Sequence, residues 1–148
     1  MIEGRGRRLE VPTGFADDDG TVDAALADAL ESNDADAVLR ALCSGARLLV
    51  PIVAVADDRD PDTGADTASH MASVSLVQED GRRGLLAFTS LETLRRWDPA
   101  ARPVPARAPD VARAAVEEGA DGILVDIAGP VRFAVDGPAL GLLAGFAP

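Results

Sequence analysis

Only two residues of this chain, Cys43 and His70, are of a type that serves in nucleophile–base pairs and occurs just once. Any Ser–His or Cys–His mechanism would have to use His70, because the chain has no other histidine. His70 ends a polar stretch before a predicted strand, which is typical of a surface residue. Cys43 falls on the apolar stripe of a predicted helix, near the end whose dipole does not favour a thiolate. We interpret it as a core thiol and predict no catalytic residue.

An acidic loop at residues 57–66 has the alternation of a calcium-binding loop, in which carboxylates at every second position converge on one cation. Its candidate ligands are Asp58, Asp60, Asp62 and Asp66. Two departures count against an EF-hand: Gly64 falls at the seventh position of the loop, and Ser69 stands where a bidentate glutamate belongs. A solvated loop is the alternative interpretation.

Two arginine pairs, Arg82-Arg83 and Arg95-Arg96, could clamp an anion, since guanidinium groups match carboxylate and phosphate geometry. The chain carries 25 acidic residues, so internal ion pairs are the simpler expectation. Lysine is absent from the sequence, which excludes Schiff-base and lysine-base chemistry. There is no glycine-rich phosphate loop and no metal-spaced His/Cys set, and we expect no cofactor.

Three carboxylates at predicted strand and helix ends, Asp98, Asp121 and Asp126, keep open an enzyme or a small-ligand sensor. That function would require a deep pocket lined by two or more of them with raised pKa values.

Length, charge and apolar content limit the number of domains, the class of ligand and the localisation. A length of 148 residues predicts one domain. The net charge of −11 disfavours nucleic-acid binding, which needs a basic surface. No apolar run approaches the ~20 residues of a membrane span, and the start lacks an apolar signal core. We therefore expect a cytoplasmic protein that binds neither nucleic acid nor membranes.

The elements that must position these residues follow from apolar periodicity and capping signals. Residues 1–20 show no periodicity and are predicted to form an arm, followed by a domain at 21–148. The domain is predicted to contain two helices, three strands, a helix, a short strand, a helix, two strands and a final helix. The Asp80-Gly81 pair predicts a hairpin, and Ser90 is the predicted cap of a helix at 91–97. This order indicates an α+β fold with a mixed sheet of about five to six strands.

Several blocks of the sequence occur in a recognisable order: "GFADDDG", "ARLLVPIVAV", "HMASVSL", "DGRRGLLAFTS" continuing through "LETLRRWDPAARPVP", and "EGADGILVDIAGPVRFAV". In this order and spacing the chain resembles the SseB N-terminal-domain family of bacterial proteins, particularly its actinobacterial members, over roughly residues 12–145. The resemblance implies no established biochemical activity. Some relatives are described as rhodanese-like, but this chain lacks a cysteine-containing anion-binding loop.

The stretch at 88–105 holds the only tryptophan, and we interpret it as a structural clasp with an exposed rim. Tryptophan and arginine are enriched at interfaces, so the rim is a predicted interaction surface formed by Arg95, Arg96, Trp97 and Asp98. The leading hypothesis is a non-catalytic protein-binding or regulatory module acting through a protein partner or homo-oligomer.

Overall fold

A computed structural model of the chain describes residues 2–5, 18–59 and 66–145, with side chains described for 18–54 and 72–145. The strands are β1 (Ile2–Arg5), β2 (Arg47–Arg59), β3 (Asp66–Val77), β4 (Arg83–Ala87), β5 (Arg102–Arg107), β6 (Gly122–Val125) and β7 (Phe133–Asp136). The helices are α1 (Ala24–Ser32), α2 (Ala35–Cys43), α3 (Leu91–Trp97), α4 (Ala108–Glu117) and α5 (Gly137–Ala144).

The strands form one mixed sheet in the order β5-β2-β3-β4-β6-β7, and β1 pairs with β3 beside this path. Among the described strands, β4 and β6 alone pair in parallel, and their other pairings are antiparallel. The predicted α+β class and mixed sheet are confirmed. Six strands form the continuous order, and β1, which lies within the predicted arm, adds a seventh.

Each face of the sheet covers its own apolar core. The larger core lies under α1, α2, α4 and α5 and includes Leu26, Leu85 and Ile123, which are fully buried. The smaller core lies on the other face, where α3 contributes Leu94 against Phe88 of the β4 end. This division follows from strand alternation, because successive side chains of β4 point to opposite faces.

The helices begin where local capping chemistry is available. Asp23 caps α1 and Asp34 caps α2 through their carboxylates. Ser90 and Thr93 form a capping box at the start of α3, so the predicted bounds of this helix are confirmed. The predicted hairpin is also found: Gly81, with φ 87°, sits in the turn between β3 and β4.

Three prolines lie in the β2–β5 pairing without breaking it. Leu49 exchanges both backbone hydrogen bonds with Phe88, at 2.7 and 2.8 Å, so its polar groups point away from β5. Pro51 lies two residues further along β2 and pairs with Pro103, while Leu49 pairs with Pro105. Alternate residues of an antiparallel strand direct their backbone N–H and C=O groups to the same side. Within the β2–β5 pair, these prolines therefore occupy positions that make no hydrogen bond to the opposite strand.

The longest helix among the described residues has ten residues, and none is long and apolar enough to cross a membrane.

Candidate functional site

A buried arginine joins the segment before α1 to the segment before α3. The Arg47 guanidinium is almost inaccessible and lies 2.7 Å, through Nε, from a carboxylate oxygen of Asp18. Its two terminal nitrogens donate to the carbonyl oxygens of Thr89, at 2.8 Å, and of Thr21. A planar group with donors in several directions suits this junction, because it binds two separate segments, residues 18–21 and Thr89, at once.

The second half of this buried network is centred on Asp126. Its carboxylate accepts hydrogen bonds from the Thr89 amide at 2.8 Å, the Thr89 hydroxyl at 2.5 Å and the Thr93 hydroxyl at 2.8 Å. Burial raises the pKa of Asp126, and these three hydrogen bonds oppose that rise. Its backbone has φ 56°, a left-handed conformation that aspartate tolerates. Both oxygens are engaged inside the protein, so Asp126 is a structural anchor for the end of β6.

The other two candidate carboxylates lie elsewhere and bind the backbone locally. Asp121 accepts a hydrogen bond from the amide of Arg83 at 2.9 Å, and Asp98 accepts one from the amide of Ala100 at 2.9 Å. Three cavities lined by described residues contain at most one of these carboxylates: Asp121 lines a small one beside Arg82 and Gly84, and the other two cavities contain none. These three cavities therefore do not provide the arrangement required for a carboxylate-based site.

The remaining candidates for chemistry divide by position. Burial raises the pKa of the Cys43 thiol, which packs against the larger core and is not activated as a nucleophile. The side chains of His70 and of the proposed calcium ligands Asp58, Asp60, Asp62 and Asp66 lie outside those the structure describes. Among the side chains that it does describe, no three His, Cys, Asp or Glu residues are grouped as metal ligands.

The predicted interaction surface at the end of α3 is only partly available for contact. Trp97 is half-buried and stacks against Phe88, with ring centroids 5.7 Å apart and planes inclined by 32°. Arg96 pairs with Glu92 at 2.9 Å on the exposed side of the helix. Arg95 is exposed. The clasp interpretation agrees with the packing of the indole on Phe88.

An open apolar groove of about 450 Å³ lies among the described residues, between α2 and the edge strand β7. One wall is the start of α2, where Val38 and Leu39 are half-buried and Asp34 and Asp36 are exposed. The other wall is the strand β7 with the residues that lead into it. Five consecutive residues contribute to this wall: Val131, Arg132, Phe133, Ala134 and Val135.

The groove runs along the outer edge of β7. Alternate residues of a strand point to opposite faces, so five consecutive residues can line one cavity only where it meets the edge of the strand. Within the described structure β7 pairs with β6 alone and ends the sheet. Sequence reasoning missed this site because it assigned Val38 and Leu39 to a core stripe and could not tell which strand ends the sheet.

Backbone direction shows which groups of β7 face outward. A Cβ placed on Gly122 of β6 would lie 2.8 Å from the carbonyl oxygen of Val135, so Val135 directs its backbone toward β6. In an antiparallel strand the neighbouring residues then direct their N–H and C=O groups the other way. Ala134 therefore presents, along the groove, a backbone donor and acceptor that no described strand pairs.

Comparison with known families decides the class of the chain: residues 22–141 match the SseB protein N-terminal domain, more than three quarters of the length. The chain belongs to the SseB family. Neither a curated protein nor a solved structure matches it.

The blocks that carry the SseB resemblance converge in the buried network. Asp18 comes from the first block, Arg47 from the second, Thr89 and Thr93 from the central stretch, and Asp126 from the last. Hydrogen bonds in this network join residues 37 and 42 positions apart in the chain. In this SseB domain, residues of these blocks therefore link segments that are distant in the sequence.

Proposed function

We propose that this SseB domain is a non-catalytic protein-binding module that docks an extended polypeptide along the outer edge of β7. The observation that carries the proposal is that a strand edge which no described strand covers coincides with an apolar groove lined by that same strand. In strand addition, backbone hydrogen bonds supply affinity and neighbouring pockets for alternate side chains supply specificity. Both components are present at β7.

The proposed docking edge is defined here as residues 131–136 together with the groove wall of α2. Ala134 offers the backbone donor and acceptor. Leu39 is half-buried in the groove and is absent from the buried cores. Its apolar surface is therefore available to a ligand side chain, and its contribution to the fold is small.

Binding is favoured over turnover because the reactive groups described in the structure are committed to packing. The Asp126 carboxylate accepts three internal hydrogen bonds, and the Cys43 thiol is held in its neutral form by burial. A net charge of −11 favours a polypeptide over a nucleic acid as the ligand. Regulation would then operate through occupancy of the edge.

The end of α3 is a second candidate surface for the same function. Arg95 is exposed beside the half-buried Trp97, and this pair of residue types is enriched at interfaces. The surface has no strand edge and no groove among the described residues, so we rank it below the β7 edge.

The test is selection of displayed random heptapeptides on the folded protein. Selected peptides are expected to alternate apolar and polar residues and to lose at least about tenfold in affinity on two variants, Leu39→Glu in the groove and Ala134→Pro at the edge. Val116→Glu is the matched control, because Val116 is 51% exposed and lies outside the groove. Peptides that bind all three variants as they bind the native domain would contradict the proposal.

A further inference from the structure

We propose that the occupant of the β7 edge is a second copy of this chain, paired antiparallel with its own β7 about a two-fold axis at Ala134. This inference rests on the proposed function, because it names the partner of the same edge. Symmetric dimers require a surface that is complementary to itself, and the sequence along β7 has that property.

Pairing the two strands about Ala134 brings opposite charges and apolar side chains into directly opposed positions. Residues 131–137 read V-R-F-A-V-D-G. Rotation about Ala134 places Arg132 opposite Asp136 of the partner subunit and, by symmetry, Asp136 opposite the partner's Arg132. Phe133 lies opposite the partner's Val135, so an apolar pair repeats on the other face. Opposite charges and apolar side chains in directly opposed positions stabilise antiparallel strands.

The charged pairs lie on an accessible face of the sheet. Ala134 and Asp136 share one face of β7 by alternation, Arg132 precedes the strand at the same spacing, and all three are exposed. Arg132 makes no ion pair with any residue whose side chain the structure describes. Asp136 has one exposed contact, 3.5 Å from Arg82, and surface pairs of this kind contribute little stability. Each charge is therefore available to the partner subunit.

Backbone direction agrees with the same register. Ala134 points its N–H and C=O outward, so two copies opposed at this residue exchange two hydrogen bonds across the axis. Asp136, two residues further along β7, has the same backbone direction, and Arg132 would share it where the strand extends by one residue in the dimer. They form the next hydrogen-bonded pairs outward. A shift of the register by one residue would oppose outward-facing groups with inward-facing ones and lose these bonds.

The apolar groove accommodates the rest of the strand. Val131 is 51% exposed and lines the groove together with Phe133. It would lie opposite Gly137 of the partner subunit, a residue with no side chain and open space around its Cα. Leu142, 52% exposed, stands one helical turn from the groove residue Ala139 on α5. These exposed side chains would be buried from solvent when the grooves of the two subunits meet.

Sedimentation equilibrium of the full chain in 0.15 M salt tests the proposal with charge reversals. Arg132→Asp places two acids opposite each other at both ends of the strand pair, and Asp136→Arg places two arginines there. We expect the dissociation constant of the dimer to rise about tenfold or more in each variant. An equimolar mixture of the two restores both opposed pairs and is expected to recover wild-type affinity within about threefold. Arg95→Asp on α3, a charge reversal away from this edge, should dimerise as wild type does.

Circular dichroism and melting temperatures establish that each variant is folded. If Asp136→Arg does not fold, Arg132→Lys provides the second comparison, because it keeps the charge and should retain the dimer that Arg132→Asp loses. A wild-type chain that stays monomeric up to millimolar concentration overturns the inference. So does a dimer that survives Arg132→Asp, or a folded mixture that stays monomeric. Peptide binding at the edge by a monomeric chain would leave the proposed function intact, whereas loss of both would remove it.

Discussion

Asp126 and Thr89 are joined by two hydrogen bonds, from the Thr89 amide at 2.8 Å and from its hydroxyl at 2.5 Å. These bonds fasten the end of β6 to the residues between β4 and α3. The carbonyl oxygen of Thr89 in turn accepts a hydrogen bond from Arg47, which binds the segment before α1. Three parts of the chain thus meet at one buried threonine. The edge strand β7 follows β6, so its position depends on this junction.

Replacing Asp126 separates its hydrogen-bonding role from its charge. Asp126→Ala leaves the buried Thr89 amide without an acceptor and places alanine in a left-handed conformation, so we expect a loss of about 3 kcal/mol in the free energy of unfolding. Asp126→Asn keeps the acceptor and tolerates the backbone angle, and it should change stability by less than about 1 kcal/mol at neutral pH. Urea unfolding of both variants measures the difference. Equal losses would show that the hydrogen bonds are not the source of stability.

Titration of Asp126 should contribute to the pH dependence of the free energy of unfolding. Burial raises the pKa of its carboxyl in the folded protein above the ordinary value of 3.8, so the folded state binds the proton more tightly than the unfolded chain. The resulting stabilisation is fully present below pH 3.8 and is lost as pH rises through the raised value. The unfolding free energy of wild type minus that of Asp126→Asn should therefore decrease from acid toward neutral pH. A difference that stays constant or increases over this range would contradict the assignment.

Arg47 should be among the most sensitive positions of the fold. Arg47→Ala leaves the Asp18 carboxylate, which is 14% exposed, without its partner, and we expect a loss of about 3–5 kcal/mol in unfolding free energy. Arg47→Lys keeps the charge but cannot reach all three acceptors, so its loss should be intermediate. Arg95→Ala, an exposed arginine on α3, is the control and should stay within about 0.5 kcal/mol. A small effect at Arg47, comparable to the control, would argue against the buried junction.

Local features of the fold could be predicted from the sequence because their causes are local. Ser90 as the cap of α3 and the turn at Gly81 each depend on residues within four positions of one another. The α+β class followed from the order of such elements. The four-residue strand β1 was not predicted, because so short a segment has no periodicity of its own.

The buried network and the candidate site could not be predicted in the same way. Asp126 was identified as a candidate for chemistry, whereas its partner Thr89, and Arg47 bound to the Thr89 carbonyl, became visible only through the fold. Nothing in the residues of β7 indicates that this strand, and not β6, ends the sheet. The self-complementary order around Ala134 is present in the sequence, but it has meaning only once the strand is known to be an edge.

Calcium tests the remaining alternative for the acidic loop. The backbones of Asp58 and Asp66 belong to β2 and β3, which pair with each other, whereas EF-hand ligands follow one continuous loop. We expect millimolar Ca²⁺ to change the melting temperature by no more than the same concentration of Mg²⁺ does. A selective rise with Ca²⁺ that disappears in Asp60→Asn/Asp62→Asn would establish a cation site, since a ligand bound to the folded state raises its stability.

Hydrogen exchange at single-residue resolution tests the docking edge most directly. In dilute protein the Ala134 amide should exchange much faster than the Val135 amide, because Val135 directs its backbone groups toward β6 while Ala134 faces the open groove. Addition of a selected peptide, or an increase in protein concentration, should slow exchange at Ala134 and leave Val135 unchanged. Slow exchange at Ala134 in the dilute protein, or exchange there that neither ligand nor concentration alters, would contradict the account.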